Sequence, residues 1–223
     1  MKLSKYIDHT MLKADAQRDK IVKLCEEAKE YDFKTVCVNP SYITLCKELL
    51  KGSDVGVCTV IGFPLGQMTT EAKVFETKDA LSKGADEIEM VLNIAQLKDG
   101  NLSYVTNEIA EVKKACGSHC LKVIIETCLL SDDEKVNACK CIIDAKADFV
   151  KTSTGFSTAG ATFADVKLLK DTVKDRCFVK AAGGVRSHDD FLKMIELGAD
   201  RIGTSSGIKL IEEWYCNYFR YFV

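Results

Sequence analysis

Short stretches of aliphatic and β-branched residues alternate along the chain with longer segments in which apolar positions recur every three or four residues. The short stretches predict strands at residues 6–10, 35–39, 55–61, 87–93, 121–127, 149–153, 178–182 and 201–203. They recur at the interval of a strand plus a returning helix, roughly 20 to 35 residues. The longer segments read as amphipathic helices. Ile21, Leu24, Cys25 and Ala28 follow an N-cap expected at Asp15 and share one face. Ser131 and Glu134 form a capping-box pattern ahead of Val136, Cys139 and Ile143. Ser187 opens a segment carrying Phe191, Met194, Ile195 and Leu197, and Gly198 supplies the left-handed residue that closes it.

One turn recurs. Gly84-Ala85-Asp86, Lys146-Ala147-Asp148 and Gly198-Ala199-Asp200 each join the end of a helical pattern to a strand, which implies stacked βα units. No Pro/Ser-rich linker interrupts the alternation, so one domain over residues 1–223 is expected. No GxGxxG follows the early strands, and eight such units in this length match a closed (β/α)8 barrel better than an open doubly wound sheet.

Composition narrows the chemistry. The chain has 223 residues, 47% of them hydrophobic, and its 31 Lys+Arg nearly balance 33 Asp+Glu. Disorder is thereby excluded as the general state, and so is the clustered positive excess of a nucleic-acid or membrane-surface protein. Small soluble partners are expected. Eleven cysteines are an odd count in a long chain without an apolar leader, which fits a reducing cytoplasm. Cys25, Cys37, Cys58, Cys128 and Cys177 lie in apolar runs and are expected to act as small core residues. Cys116, His119 and Cys120 lack a second ligand pair, and no metal site is expected. No apolar run reaches the roughly 18 residues of a membrane span.

In a barrel of this kind the active site lies at the C-terminal ends of the strands. Lys151 and Lys180 stand there, each inside an otherwise apolar strand covered on both faces. Two buried ammonium groups repel, and desolvation adds to the effect, so one of the pair is expected to fall toward neutrality and attack a carbonyl as a free amine. Gly183-Gly184-Val185 and Gly203-Thr204-Ser205-Ser206-Gly207 end the last two strands and offer backbone N–H groups and hydroxyls to a phosphate. Glu87 and Glu89 share a strand face; Glu89 is the proton-transfer candidate and Glu87 is expected to be a solvated strand start. Asp8 and Glu126 either support the lysines or make structural ion pairs.

The segments Asp8-His9-Thr10-Met11-Leu12-Lys13, Val36-Cys37-Val38-Asn39-Pro40, Gly62-Phe63-Pro64-Leu65-Gly66, Glu87-Ile88-Glu89-Met90-Val91, Lys151-Thr152-Ser153-Thr154-Gly155-Phe156 and Lys180-Ala181-Ala182-Gly183-Gly184-Val185-Arg186 together resemble the deoxyribose-phosphate aldolases nearly from end to end. The resemblance implies a (β/α)8 barrel that needs neither metal nor other cofactor. It implies cleavage of 2-deoxy-D-ribose 5-phosphate to glyceraldehyde 3-phosphate and acetaldehyde. It further implies Lys151 as the Schiff-base lysine, Lys180 as its neighbour, and a phosphate site at Gly183, Gly184, Gly203, Thr204, Ser205 and Ser206. Thr10, Cys37 and Thr152 would line the pocket, and the chain would form a homodimer or homotetramer.

The pattern is broken at Glu89, where the family usually has Asp for a proton relay through an ordered water. Milder departures are Ala14 and Ala181, where proline is common. The extra methylene at Glu89 leaves open a barrel that binds sugar phosphate with little or no catalysis, since a misplacement of about 1 Å costs on the order of 100-fold. A different Schiff-base enzyme acting on another phosphorylated carbonyl is the other alternative. The aromatic tail of Trp214, Tyr215, Tyr218, Phe219, Tyr221 and Phe222 is read as a helix face packed on the barrel or a self-association surface.

Overall fold

The predicted strands close into a barrel in a computed structural model of the chain, which describes residues 2–220, with side chains as far as Glu213. The strands are β1 Ile7–Met11, β2 Thr35–Val38, β3 Gly56–Ile61, β4 Glu87–Val91, β5 Cys120–Ile124, β6 Phe149–Lys151, β7 Phe178–Ala182 and β8 Arg201–Thr204. All are parallel and lie in chain order, and β8 closes on β1 through Ile7 opposite Ile202, Asp8 opposite Gly203 and His9 opposite Thr204. The helices are α1 Arg18–Glu30, α2 Ile43–Leu49, α3 Thr70–Ser82, α4 Ile94–Lys98, α5 Leu102–Cys116, α6 Asp132–Asp144, α7 Phe163–Val173, α8 His188–Glu196 and α9 Gly207–Arg220. No helix among the described residues is long and apolar enough to cross a membrane. The aromatic side chains from Trp214 onward lie outside the described part.

Ile21, Leu24, Cys25 and Ala28 are all buried on α1, as their spacing requires, but the helix starts at Arg18 with Gln17 at its cap. Asp15 sits before it, in a turn closed by the Ala16 N–H to the Lys13 carbonyl. The capping box is present: the Ser131 hydroxyl accepts from the Glu134 N–H while the Glu134 carboxylate accepts from the Ser131 N–H. Ser187 caps α8 by accepting from the Asp190 N–H.

The repeated Ala-Asp turn has a common physical basis. Gly84, Lys146 and Gly198 all have positive φ, and the following alanine N–H reaches back to Ala80, Ile142 and Met194 respectively. The aspartate then clamps the second residue of the preceding strand from both sides. Its N–H donates to the carbonyl of Val57, Leu121 or Val179. Its carboxylate accepts the N–H of the same residue, at 2.8, 2.7 and 2.9 Å for Asp86, Asp148 and Asp200. Lys47, Lys113 and Lys170 complete each clamp with an ion pair. Three copies of the turn thus lock three adjacent strand pairs at the end opposite the site.

Two hydrophobic groupings divide the interior. The larger packs the outer faces of the strands against the helices and includes Val57, Ile88, Leu121, Val150, Val179 and Ile202. The smaller comprises Leu12, Cys37, Cys58 and Val60, with Phe63 against it. Cys37 and Cys58 face each other across β2 and β3, and Cys37 also touches Glu89, so this small group is one wall of the barrel lumen. Charged side chains form the rest.

Three strands end two or more residues earlier than their sequences suggest. Asn93 leaves β4 to cap α4 by accepting from the Gln96 N–H. Glu126 turns left-handed at φ 57° beyond β5. Thr152 departs from β6 because its hydroxyl bonds the backbone of Ala182.

Candidate active site

Buried charges from six strands meet in the lumen. Glu89 on β4 accepts from Lys151 Nζ on β6 at 2.6 Å through Oε2 and from Lys180 Nζ on β7 at 2.5 Å through Oε1. Lys122 on β5 stands 3.4 Å from the same Oε1 and donates to Glu87. Asp8 on β1 accepts from Lys180, from Arg201 on β8 and from the Thr35 hydroxyl, the last at 2.7 Å. Arg201 also reaches Glu87. Parallel pairing sets these neighbours, since Glu89 lies opposite Lys122, Lys151 opposite Lys180, and Lys180 opposite Arg201.

Glu87 is therefore no solvated strand start. Its side chain is 12% exposed and joined to Lys122 and Arg201, because closure brings β5 beside it and β8 across the lumen. Sequence reasoning passed over Lys122 and Arg201 as well. Lys122 carried the same signal as the other two lysines, a cation inside an apolar strand, in Leu121-Lys122-Val123. Arg201 merely opens its strand, so nothing in its neighbours marks it.

Lys180 is not the member of the pair that falls toward neutrality. Burial alone would lower the Lys180 ammonium, but the carboxylates of Asp8 and Glu89 outweigh it and hold Lys180 above its ordinary value. Lys122 is likewise driven down by burial and raised well above normal by Cys58, Glu87, Asp8 and Glu89. Repulsion from Lys151 is thus not what sets the charge of Lys180. Burial would raise the Glu89 carboxyl, yet Lys151, Lys180 and Lys122 hold it well below the usual range. Asp8 is lowered by Arg201, Lys180 and Lys122 against the same penalty of burial.

These shifts give the stability a pH dependence. Asp8 and Glu89 titrate lower in the folded chain, so their contribution is complete above the ordinary carboxylate range of about 4 and is lost as pH falls below it. His9, lowered by burial despite its 2.7 Å contact with Glu27, adds a decline that starts near pH 6.5. Lys122 and Lys180 titrate higher in the folded chain, so their contribution is lost as pH rises past about 10.4. Burial also raises the thiols of Cys58, Cys116, Cys120, Cys139 and Cys177, whose contribution is lost as pH rises past about 8.5, so the urea midpoint is expected to hold a plateau between about pH 7 and 8.5 and to fall on both sides. A midpoint that climbs on acidification from pH 6 to 4 contradicts this account.

Three loops above the cluster pack backbone against backbone. A Cβ on Gly160 would lie 2.3 Å from the Gly183 carbonyl oxygen, and the neighbouring Ala161 N–H donates to the carbonyls of both Ala182 and Gly183. Gly183 and Gly184 have φ of 81° and 82°. The Thr204 hydroxyl donates to the Val185 carbonyl and accepts from the Ser206 N–H, tying the β8 loop to the β7 loop. Ser205 is exposed and Ser206 half-buried just ahead of α9. Gly203 serves the lysine beneath it instead, since a Cβ there would meet Lys180 Cε at 3.0 Å and its absence makes room for that side chain.

The remaining candidates separate. Cys37 is fully buried, with its Sγ 3.6 Å from Glu89. Thr10, half-buried opposite Cys37, bonds the Asp8 carbonyl through its hydroxyl. Thr152 does not line the pocket, because its hydroxyl is taken by the Ala182 N–H and carbonyl and it is fully buried between strands. Glu126 does not meet the lysines; it holds the Thr154 N–H and hydroxyl and so fixes the loop after β6. Cys25, Cys37, Cys58 and Cys177 are buried as expected, but Cys128 is half-exposed beside Ser157. Cys37, Cys58 and Glu89 bring ligand-type atoms within 4.8 Å of one another, but three ammonium groups surround the carboxylate and oppose a further cation.

The chain resembles known proteins over nearly its whole length. Residues 2–210 match the model of the DeoC/LacD family aldolases. A deoxyribose-phosphate aldolase of Streptococcus uberis is 58% identical over 211 residues, covering 95% of this chain and 96% of that protein. One from Finegoldia magna is 58% identical over 212 residues, covering 95% and 100%. Among solved structures, the tetrameric deoxyribose phosphate aldolase from Aeropyrum pernix superposes with a TM-score of 0.89 at 34% identity, over 96% of this chain and 91% of that one.

Proposed function

The chain belongs to the DeoC/LacD family of aldolases, and we propose that it reversibly cleaves 2-deoxy-D-ribose 5-phosphate to D-glyceraldehyde 3-phosphate and acetaldehyde through a Schiff base on Lys151. The observation that carries this reading is the contact of one carboxylate, Glu89, with both Lys151 and Lys180. The lumen cluster sets the cations Lys122, Lys151, Lys180 and Arg201 against the carboxylates Asp8, Glu87 and Glu89. Transfer of one proton out of the cluster brings it to parity, and a neutral Lys151 is the nucleophile the reaction needs.

Neutral Lys151 attacks the C1 aldehyde of the open-chain sugar phosphate, and loss of water leaves an iminium as electron sink. A base takes the C3 hydroxyl proton, C3 becomes the aldehyde of glyceraldehyde 3-phosphate, and the C2–C3 bond breaks to leave a two-carbon enamine on Lys151. Reprotonation and hydrolysis release acetaldehyde and return the amine. Glu89 serves as the base and shuttles protons between the substrate and Lys151, with Lys180 as the fixed cation that stabilises the charge on it. In this chain the carboxylate lies against Lys151 at 2.6 Å, so the longer side chain supports a direct relay where the family's shorter aspartate works through water.

Gly183, Gly184, Ser205 and Ser206 hold the phosphate with backbone N–H groups and hydroxyls at the mouth, with Gly203 and Thr204 shaping the loop beneath them. A homodimer or homotetramer goes with the reading, the A. pernix relative being tetrameric. Incubation with 2-deoxyribose 5-phosphate and a chelator is expected to release acetaldehyde stoichiometrically with glyceraldehyde 3-phosphate. Cleavage of other phosphorylated carbonyls but not this one would instead assign a different Schiff-base reaction.

A further inference from the structure

We infer that Ser153 contacts the substrate, its hydroxyl donating a hydrogen bond to the phosphoryl end of the sugar phosphate; this rests on the aldolase reading above. Three hydroxyl residues follow Lys151, and two are committed. Thr152 bonds Ala182, while Thr154 bonds Glu126 and accepts from the Phe156 N–H at 3.0 Å. Ser153 is fully buried and its Oγ has no hydrogen-bond partner among the described residues. Leaving such a hydroxyl unpaired costs about 1–3 kcal/mol, a cost that a partner supplied on binding would remove.

Its place identifies that partner. A Cβ built on Gly183 would lie 3.0 Å from Gly160 Cα, 3.7 Å from Gly155 Cα and 3.8 Å from Ser153 Cβ. Of these neighbours only Ser153 brings a side chain to the loop that Gly183 and Gly184 form. Ser153 follows Lys151 by two residues in the loop beyond β6, so it stands beside both the proposed nucleophile's strand and the glycine loop. An uncharged donor placed there adds to the backbone N–H groups of the same loop and leaves the charge cluster below unchanged.

Ser153→Ala removes one oxygen and the donor. Inorganic phosphate binding, measured by calorimetry, is expected to weaken about 10-fold or more, the usual cost of losing a hydrogen bond to a charged group. kcat/KM for 2-deoxyribose 5-phosphate should fall similarly through KM, while that for unphosphorylated 2-deoxyribose stays within about twofold. Ser153→Thr, which keeps a hydroxyl, should recover most of the phosphate affinity. Unchanged phosphate binding in Ser153→Ala, or equal losses on the two sugars, overturns the inference. The titration needs no turnover, so it judges Ser153 separately from the aldolase reading, which fails only if the unsubstituted chain does not cleave the phosphorylated sugar.

Discussion

Lys151→Met is expected to abolish cleavage while the barrel remains folded. The amine is the only group in the proposed mechanism that forms a covalent bond to the substrate, and losing such a nucleophile costs on the order of 10⁴-fold or more in kcat. Folding is spared for an electrostatic reason. Without Lys151 the lumen still pairs Lys122, Lys180 and Arg201 with Asp8, Glu87 and Glu89, and Glu89 keeps its 2.5 Å bond to Lys180. The matching chemical test is borohydride reduction in the presence of acetaldehyde, followed by peptide mass analysis. An N-ethyl group is expected on Lys151 and not on Lys180, which stays protonated between Asp8 and Glu89. A reduced adduct on Lys180, or none, removes the Schiff-base assignment.

Glu89→Gln has the second largest expected effect, and it acts on rate and stability together. The amide keeps the shape but not the charge, leaving two carboxylates against four cations in a fully buried space. Removing one partner of a buried ion pair typically costs about 3–5 kcal/mol, which denaturant unfolding will register. Loss of the proton-transfer group should lower kcat by about 10²–10⁴-fold. Glu89→Asp separates the two effects. It keeps the charge and most of the stability, but withdraws the carboxylate from at least one lysine by about 1 Å or more, so a fall in kcat of up to about 100-fold is expected. Near-normal turnover in Glu89→Gln would remove it from the relay. A large gain in Glu89→Asp would mean that the native glutamate is misplaced and would revive a barrel built mainly to bind.

Legibility in the sequence followed how local each signal was. The alternation of strands and helices, the capping box at Ser131 and the Ala-Asp turns are interactions within a few residues, and the structure reproduces them. Lys151 and Lys180 were legible because a lysine inside a strand covered on both faces has nowhere neutral to point. Glu87 was misjudged because its sequence neighbours make it a strand start, while its partners Lys122 and Arg201 come from strands 35 and 114 residues away. Thr152 was misjudged for another reason: of three consecutive hydroxyls, only tertiary packing shows which are consumed by Ala182 and Glu126 and which is left over.

By itself the sequence determined the repeating unit, the eight strands, the two lysines inside their strands and the glycine loops beyond them, since each depends on periodicity or on backbone freedom at a named residue. Only the closed barrel decided the sign of the electrostatics. Two lysines considered alone repel and depress one another; with Glu89 folded between them and Asp8 beside Lys180, Lys180 is held as a cation instead. Coulomb energies depend on distance through a buried medium, and in this lumen those distances are set by pairings between β1, β4, β5, β6, β7 and β8 that no local stretch of chain contains.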